Sequence, residues 1–258
     1  MSKQRILLLP GVGILYAKIF ASEKRNVVGN ADRRTSTTIV ERALSLGASM
    51  AGIASVLFLS KTPSHMIRGT IEWPDNARAV LVLALVHAEA DLERDWWIGK
   101  GGTPGNLALI RIAHEVTKVF SDEFAIDVTP LPYHVEKGGI FLKDAAVLAG
   151  LGVIGKNNLL ITPEYGPRVR FRAMLLDRDL VPTGPKSFDP CTGCDMPCMR
   201  ACPTRAFERG VYGAKACERQ MKKDESNKTI VEKFRRKGVT GECIKYCRAC
   251  ELACPVGK

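Results

Sequence analysis

The chain carries nine cysteines, and all of them fall between positions 191 and 254 of its 258 residues. Cys191, Cys194, Cys198 and Cys202 form one run, closed by Pro203. Cys243, Cys247, Cys250 and Cys254 form a second, closed by Pro255, and Cys217 stands between the two. Thiolates at such spacings are ligands for iron–sulfur iron. In the paired-cluster spacing C-x2-C-x2-C-x3-C-P the fourth cysteine ligates the other cluster. The second run contains Cys247-x2-Cys250-x3-Cys254-Pro255, and the first reads Cys191-x2-Cys194-x3-Cys198-x3-Cys202-Pro203. These spacings point to two interleaved 4Fe-4S clusters. Zinc would explain paired C-x2-C knuckles, but it takes four ligands per site and gives no reason for a trailing C-x3-C-P. Disulfides would leave an odd thiol with no cysteine elsewhere to pair it.

The elements that position these thiols must come from an otherwise ordinary globular sequence. Hydrophobic residues make up 46% and charged residues 25%, so the core can be sizeable and the cysteines are not staples of a tiny fold. The formal net charge of +11 favours acidic partners such as nucleic acid, a corrinoid phosphate or a carboxylate-rich electron carrier. At the N-terminus Lys3 and Arg5 precede an apolar stretch over residues 6–16, a loose likeness of a signal peptide. Pro10, Gly11 and Gly13 interrupt it and Lys18 ends it short of a membrane span. The expectation is an arm with no membrane role, and free thiolates fit a reducing compartment, the cytoplasm.

Residues 22–36 read as a polar linker. Thr38 and Glu41 form a capping box opening a helix that runs to about Leu46, with Gly47 just past its end. The pattern then predicts a strand over residues 50–59, a loop over 63–68 and a strand over 79–86, the last apolar throughout as if buried on both faces. Trp96 and Trp97 read as packing anchors. An amphipathic helix begins at Pro104, with His114 beside its apolar face in a structural role. A strand over residues 125–129, a helix over 140–149 and a half-buried strand alternating Val169, Phe171 and Ala173 with Arg170, Arg172 and Met174 follow. Three prolines and a glycine between positions 182 and 190 mark a domain boundary, and residues 215–238 are rich in lysine and arginine. The expected organisation is an arm and linker (1–36), an α/β core of the α+β kind (37–182) and a ferredoxin-like module with two 4Fe-4S clusters (183–258).

Gly150, Gly152 and Gly155 match G-x-G-x-x-G, but a dinucleotide site needs a strand before the motif and a helix after it. Here the order reads helix, then strand. The same stretch approaches a Walker A loop, with Asn157 where the magnesium-binding hydroxyl must stand. Nucleotide binding is therefore not expected at this loop.

The stretch 136–157, ending AGLGVIGKN, followed by an arginine-rich strand and the cysteine runs, resembles the epoxyqueuosine reductase family, itself related to the corrinoid-binding core of reductive dehalogenases. The resemblance covers about Thr38 to Pro255. It implies a nitroreductase-like core that binds cobalamin, with two 4Fe-4S clusters delivering electrons from a donor such as reduced ferredoxin or flavodoxin. One cluster would take Cys191, Cys194, Cys198 and Cys254, and the other Cys202, Cys217, Cys247 and Cys250, leaving Cys243 spare. Cys198 follows one residue more than the family spacing. The family's acidic proton donor falls on Glu136, where the family has aspartate. Tyr133 and His134 flank it, and Lys156 and Asn157 match the loop that lines the cofactor. Typical members carry a further helical segment that helps bind transfer RNA, whereas this sequence ends four residues after Cys254. Transfer RNA and a separate corrinoid protein therefore both stand as candidate partners, with an electron carrier that binds no corrinoid as the alternative reading.

Overall fold

The computed structural model describes residues 33–69, 71–99, 102–208, 212–234 and 240–258. The expected arm and most of the linker, and the basic residues Arg235, Arg236 and Lys237, lie outside the described residues. In chain order the strands are β1 (Met50–Ser55), β2 (Ala79–Val86), β3 (Trp97–Ile98), β4 (Val128–Pro130), β5 (Val153–Ile154), β6 (Leu160–Ile161), β7 (Val169–Leu176), β8 (Thr229–Ile230) and β9 (Glu242–Ile244). The helices are α1 (Arg33–Ser45), α2 (Val56–Leu59), α3 (Pro63–Arg68), α4 (Pro104–Phe124), α5 (Leu142–Leu148), α6 (Pro197–Arg200), α7 (Ala214–Ser226) and α8 (Ala249–Leu252). Among the described residues no helix is long and apolar enough to cross a membrane.

The core is a four-stranded antiparallel sheet in the order β1-β2-β7-β4, with helices on both faces. Strand β2 shows why. Its successive side chains point to opposite faces, so Val80, Val82 and Ala84 pack with α5 residues Ala145, Ala146 and Leu148. Ala79, Leu81, Leu83 and Leu85 pack with Ile39 and Ala43 of α1 and with Leu109, Ala113, Val116 and Phe120 of α4. Both faces are apolar because both are covered. Each fully buried leucine or valine here contributes about 1.5–3 kcal/mol. Helix α4 starts as its sequence demands: the Thr103 hydroxyl accepts from the Asn106 N–H and Pro104 fills the first turn.

Four local expectations are corrected. Helix α1 begins at Arg33 rather than at Thr38, because the Thr37 and Thr38 hydroxyls donate to the Arg33 and Arg34 carbonyls and so sit inside the helix instead of capping it. The strand at residues 50–59 ends at Ser55, and Val56–Leu59 turns into a helix that buries Phe58 and Leu59. Residues 63–68 are helical, with Pro63 in the first turn and His65 buried. His114, expected beside the apolar face of α4, is exposed.

The AGLGVIGKN stretch forms a helix end and a hairpin. After α5, Gly150 adopts φ 72°, and the N–H groups of Gly150 and Leu151 return to the Val147 and Ala146 carbonyls, a glycine-terminated helix. A Cβ at Gly150 would meet the Thr183 carbonyl oxygen at 2.8 Å. Strands β5 and β6 then pair across a turn at residues 155–158. The order is helix then hairpin, as the sequence reads, and not strand then helix.

The C-terminal part is stitched to the core. Strand β9 pairs with both β3 and β8, placing Trp97 opposite Ile244 and Ile98 opposite Cys243. Lys245 Nζ lies 4.0 Å from the centre of the Trp96 ring, and Trp96 meets Phe234 edge-on, so Trp96 is a packing anchor, whereas Trp97 is exposed and meets the Tyr246 ring edge-on.

Candidate redox centre

All nine cysteines are free thiols. Two one-turn helices, α6 and α8, pack against each other, and each separates two cysteines four residues apart. Cys198 precedes Cys202 across α6, and Cys250 precedes Cys254 across α8. A helical turn of four residues advances about 6 Å, so the two thiols of each pair look into neighbouring spaces.

The thiols sort into two groups by the neighbours whose charges reach them. Burial pushes the Cys198 thiol up, and Cys254, Cys191 and Cys194 add to the effect. Cys254 is likewise raised by burial, against Arg168 and with Cys191 and Cys194. In the other group, burial pushes Cys250 up to about 12, with Cys247, Cys202 and Cys217 contributing. Cys247 is raised by burial, then by Asp224, Cys202 and Cys217. Cys202, Cys217, Cys247 and Cys250 line one cavity of about 210 Å³, together with Lys143, Asn157, Tyr212, Gln220, Arg248 and Glu251. Among the described residues no three His, Cys, Asp or Glu side chains are arranged so as to hold a metal ion.

Backbone N–H groups already point at several sulfurs. Cys191 Sγ accepts from Lys156 N–H at 3.5 Å, Cys194 Sγ from Met196 at 3.4 Å and Cys202 Sγ from Ala206 at 3.3 Å. Cys243 stands apart: it is fully buried in β9, burial raises its pKa, and its Sγ contacts the Gly241 carbonyl at 3.6 Å.

A buried ionic frame docks this cysteine module onto the sheet, and sequence reasoning missed it. Asp95 meets Arg170 at 2.9 Å, Arg248 at 2.8 Å and His87 Nδ1 at 2.9 Å. Glu251, next to Cys250, meets Arg170 at 2.9 Å and also pairs with Arg248. Burial works to raise the Asp95 pKa, but the His87 hydrogen bond and the charges of Arg170, His87 and Arg248 hold it below the usual range. Arg168, buried at the head of β7, donates to the Cys254 carbonyl at 3.2 Å and to the Val256 carbonyl at 2.5 Å. Arg170 was expected on the solvent side of β7; it is instead held between Asp95 and Glu251.

The remaining candidate residues divide. Asn157 is 2% exposed; its Oδ1 accepts from the Leu159 N–H at 3.1 Å and its Nδ2 has no hydrogen-bond partner. Lys156 carries an exposed side chain, with its N–H on Cys191. The hairpin turn therefore lies against the thiols. Tyr133, His134 and Glu136 sit together on a separate loop between β4 and α5. The Tyr133 and His134 rings meet edge-on at 5.3 Å, and His134 Nδ1 is 3.5 Å from Glu136 Oε1. Glu136 is 74% exposed. Lys143 lines the cavity from α5; burial pushes its pKa down to about 8, and its Nζ donates to Asn158 O at 2.8 Å and Oδ1 at 3.1 Å.

No family model matches the chain. Known proteins do. The epoxyqueuosine reductase of Listeria monocytogenes is 35% identical over 120 residues, 45% of this chain and 30% of that protein. The tetrachloroethene reductive dehalogenase of Sulfurospirillum multivorans is 32% identical over 121 residues, 44% of this chain and 23% of its own length. An epoxyqueuosine reductase solved with a modified tRNA-Tyr stem loop superposes over 87% of this chain and 65% of its own, with a TM-score of 0.58 at 17% identity.

This chain is similar in part to epoxyqueuosine reductases and to reductive dehalogenases.

The relationship covers part of each epoxyqueuosine reductase or dehalogenase, since the aligned segments make up less than a third of the two curated proteins. The fold is shared more widely. A reductive dehalogenase structure described through B12-dependent dehalogenation superposes over 76% of this chain and 30% of its own, with a TM-score of 0.50 at 17% identity. The curated relatives are named as reductases.

Proposed function

We propose that the chain is an iron–sulfur reductase in which Cys191, Cys194, Cys198 and Cys254 hold one 4Fe-4S cluster and Cys202, Cys217, Cys247 and Cys250 hold a second. The observation that carries this reading is the cavity of about 210 Å³ walled by four thiols from separate stretches of chain. Thiolates are soft ligands suited to iron–sulfur clusters, and a cluster gives each iron its own thiolate. The backbone N–H groups on Cys191, Cys194 and Cys202 suit sulfurs that bear charge.

The likeness to a B12-dependent dehalogenase and to epoxyqueuosine reductases makes cobalamin in the α/β core the electron acceptor in this proposal. Its residues would be Tyr133 and His134, with Lys156 and Asn157 on the hairpin. The fit rests on Tyr133, which is 57% exposed and close enough to Arg170 and Arg172 for their charges to interact. Arg172 Nε is buried beside it without a hydrogen-bond partner, an unspent donor suited to the amide and phosphate groups of a corrinoid. When bound, cobalamin supplies low-potential cobalt chemistry. The chain's own contribution would be a carboxyl proton donor at Glu136, with His134 Nδ1 3.5 Å from its Oε1 to orient it.

The experiment is anaerobic purification followed by iron, sulfide, cobalt and corrinoid analysis. About eight iron and eight sulfide per chain are expected, with cobalamin retained on titration. Stoichiometric zinc in place of iron would overturn the cluster assignment. A chain that holds both clusters and retains no cobalamin would be an electron carrier or a reductive activator of a separate corrinoid protein. That second reading is favoured by one observation, the closeness of Lys156 and Asn157 to the thiols. A ferredoxin or flavodoxin would be the electron donor in either case, and transfer RNA, present in the structure of a relative, is the proposed macromolecular substrate.

A further inference from the structure

The polar side chains around the second four-thiol cavity are almost all engaged. Lys143 donates to Asn158 twice. Gln220 Nε2 donates to Asp224 at 2.8 Å, and Tyr212 bonds to Cys217. Arg248 is ion-paired with Asp95 and Glu251, and Glu251 is held by Arg170. Asn157 differs. Asn157 lines the cavity, and its Nδ2 is buried with neither hydrogen-bond partner nor ion pair among the described residues.

The orientation of that amide is fixed by chemistry. The Leu159 N–H is a donor, so the Asn157 atom that meets it at 3.1 Å must be the oxygen. The NH2 group is thereby left on the other branch of the amide. Position 157 is also held in place by the turn between β5 and β6, where Gly155 N–H bonds to Leu159 O at 2.9 Å and Asn158 N–H to Gly155 O at 2.9 Å. A buried amide donor with no acceptor is destabilising, and an acceptor seated in the adjoining cavity would relieve it. The four thiols sharing the cavity name the acceptor class: an anionic sulfur cluster.

We propose that Asn157 Nδ2–H donates a hydrogen bond to the cluster held by Cys202, Cys217, Cys247 and Cys250 and raises its reduction potential. This rests on the reading of that thiol set as a cluster site, and it gives Asn157 a role distinct from lining a corrinoid. One-electron reduction adds a negative charge to the cluster. A fixed N–H donor stabilises the reduced form more than the oxidised form, and hydrogen bonds to cluster sulfurs are a recognised control of potential. The effect falls on one cluster, because the wall that Asn157 lines contains the second thiol set and none of Cys191, Cys194, Cys198 or Cys254.

The test is a redox titration of the full chain with dithionite and mediators, following the two cluster signals by EPR, in the wild type, Asn157→Asp and Asn157→Ala. Asn157→Asp keeps an oxygen to accept from Leu159 and loses the donor, but it adds a carboxylate charge that itself lowers the potential, so the uncharged Asn157→Ala is the variant that reads the donor. One of the two signals is expected to move to lower potential in both variants by at least tenfold in its reduction equilibrium, about 59 mV for one electron, while the other stays in place. Two full clusters with unmoved potentials in both variants would overturn the inference and leave the cluster assignment standing. Equal shifts in both signals, or loss of iron from both variants, would make Asn157 a structural residue and also overturn it. A wild-type chain without a second cluster would overturn the cluster assignment itself, and this inference with it.

Discussion

At the scale of single residues, the nine cysteines are chemically alike and physically distinct. Cys250 sits in a shared cavity with its thiol pushed up to about 12 by burial and by three neighbouring cysteines. Such a group binds metal only by giving up its proton, so cluster assembly at this site releases protons and couples to folding. Cys243 is fully buried where Cys250 is only partly so, but its neighbours are a strand partner and a carbonyl oxygen. Cys250→Ser is therefore expected to lower iron content from about eight to about four per chain, whereas Cys243→Ala leaves it at about eight; parallel iron and sulfide assays check both. Glu136 gives a third comparison. Glu136→Gln is expected to leave iron content and cluster spectra unchanged while substrate turnover falls by about 100-fold or more, the usual scale for losing a general acid. Unchanged turnover would remove Glu136 from the mechanism.

At the scale of elements, strand β7 is where sheet and cysteine module meet. Arg168 holds the chain after Cys254, and Arg170 holds Glu251 beside Cys250. Asp95 and Glu251 are the only carboxylates that Arg170 and Arg248 pair with among the described residues. Removing Asp95 leaves the Arg170 and Arg248 guanidinium groups sharing Glu251 alone, which weakens the frame. Asp95→Asn is accordingly expected to lower the denaturation midpoint and to expose residues 240–258 to limited proteolysis before the sheet unfolds. The pH dependence follows from the sign of the shift. Asp95 has its folded pKa below its unfolded value, so its contribution is complete above the ordinary aspartate range and fades as pH falls through the folded value. The stability gap between wild type and Asp95→Asn should therefore be widest near neutrality and close in acid. This frame was illegible in the sequence because positions 95, 170, 248 and 251 are far apart and charged residues ordinarily read as surface. The apolar run of β2, the amphipathic spacing of α4 and the helix-then-hairpin order around Gly150 were legible, since each follows from local periodicity or glycine geometry. Thr38 misled for the opposite reason: its hydroxyl can satisfy a carbonyl within a helix as well as an N–H at its start. Asn157 was singled out by motif alone, and only the fold shows that it lines the wall around the second thiol set.

At the scale of the whole molecule, the formal net charge of +11 bears on what docks rather than on what folds. Part of that charge is already spent in the structure, with Lys228 paired to Glu242 and Lys233 to Glu93. Lys222 and Lys223 are exposed along α7 and have no ion pair among the described residues. Helix α7 also carries Cys217 and Gln220 into the wall of the second cavity. A polyanion seated on its outer face would therefore lie one helix diameter from the proposed cluster, about 10–12 Å. If the polyanion is a transfer RNA stem loop, each lysine on a phosphate releases counterions and adds roughly one unit to the slope of log affinity against log salt. The double variant Lys222→Glu/Lys223→Glu is expected to weaken stem-loop binding and to reduce that slope by about two, with the two cluster spectra unchanged. An unaltered slope would place the RNA elsewhere on the molecule. An altered slope with shifted cluster potentials would show that the docking face and the second thiol set are linked through α7.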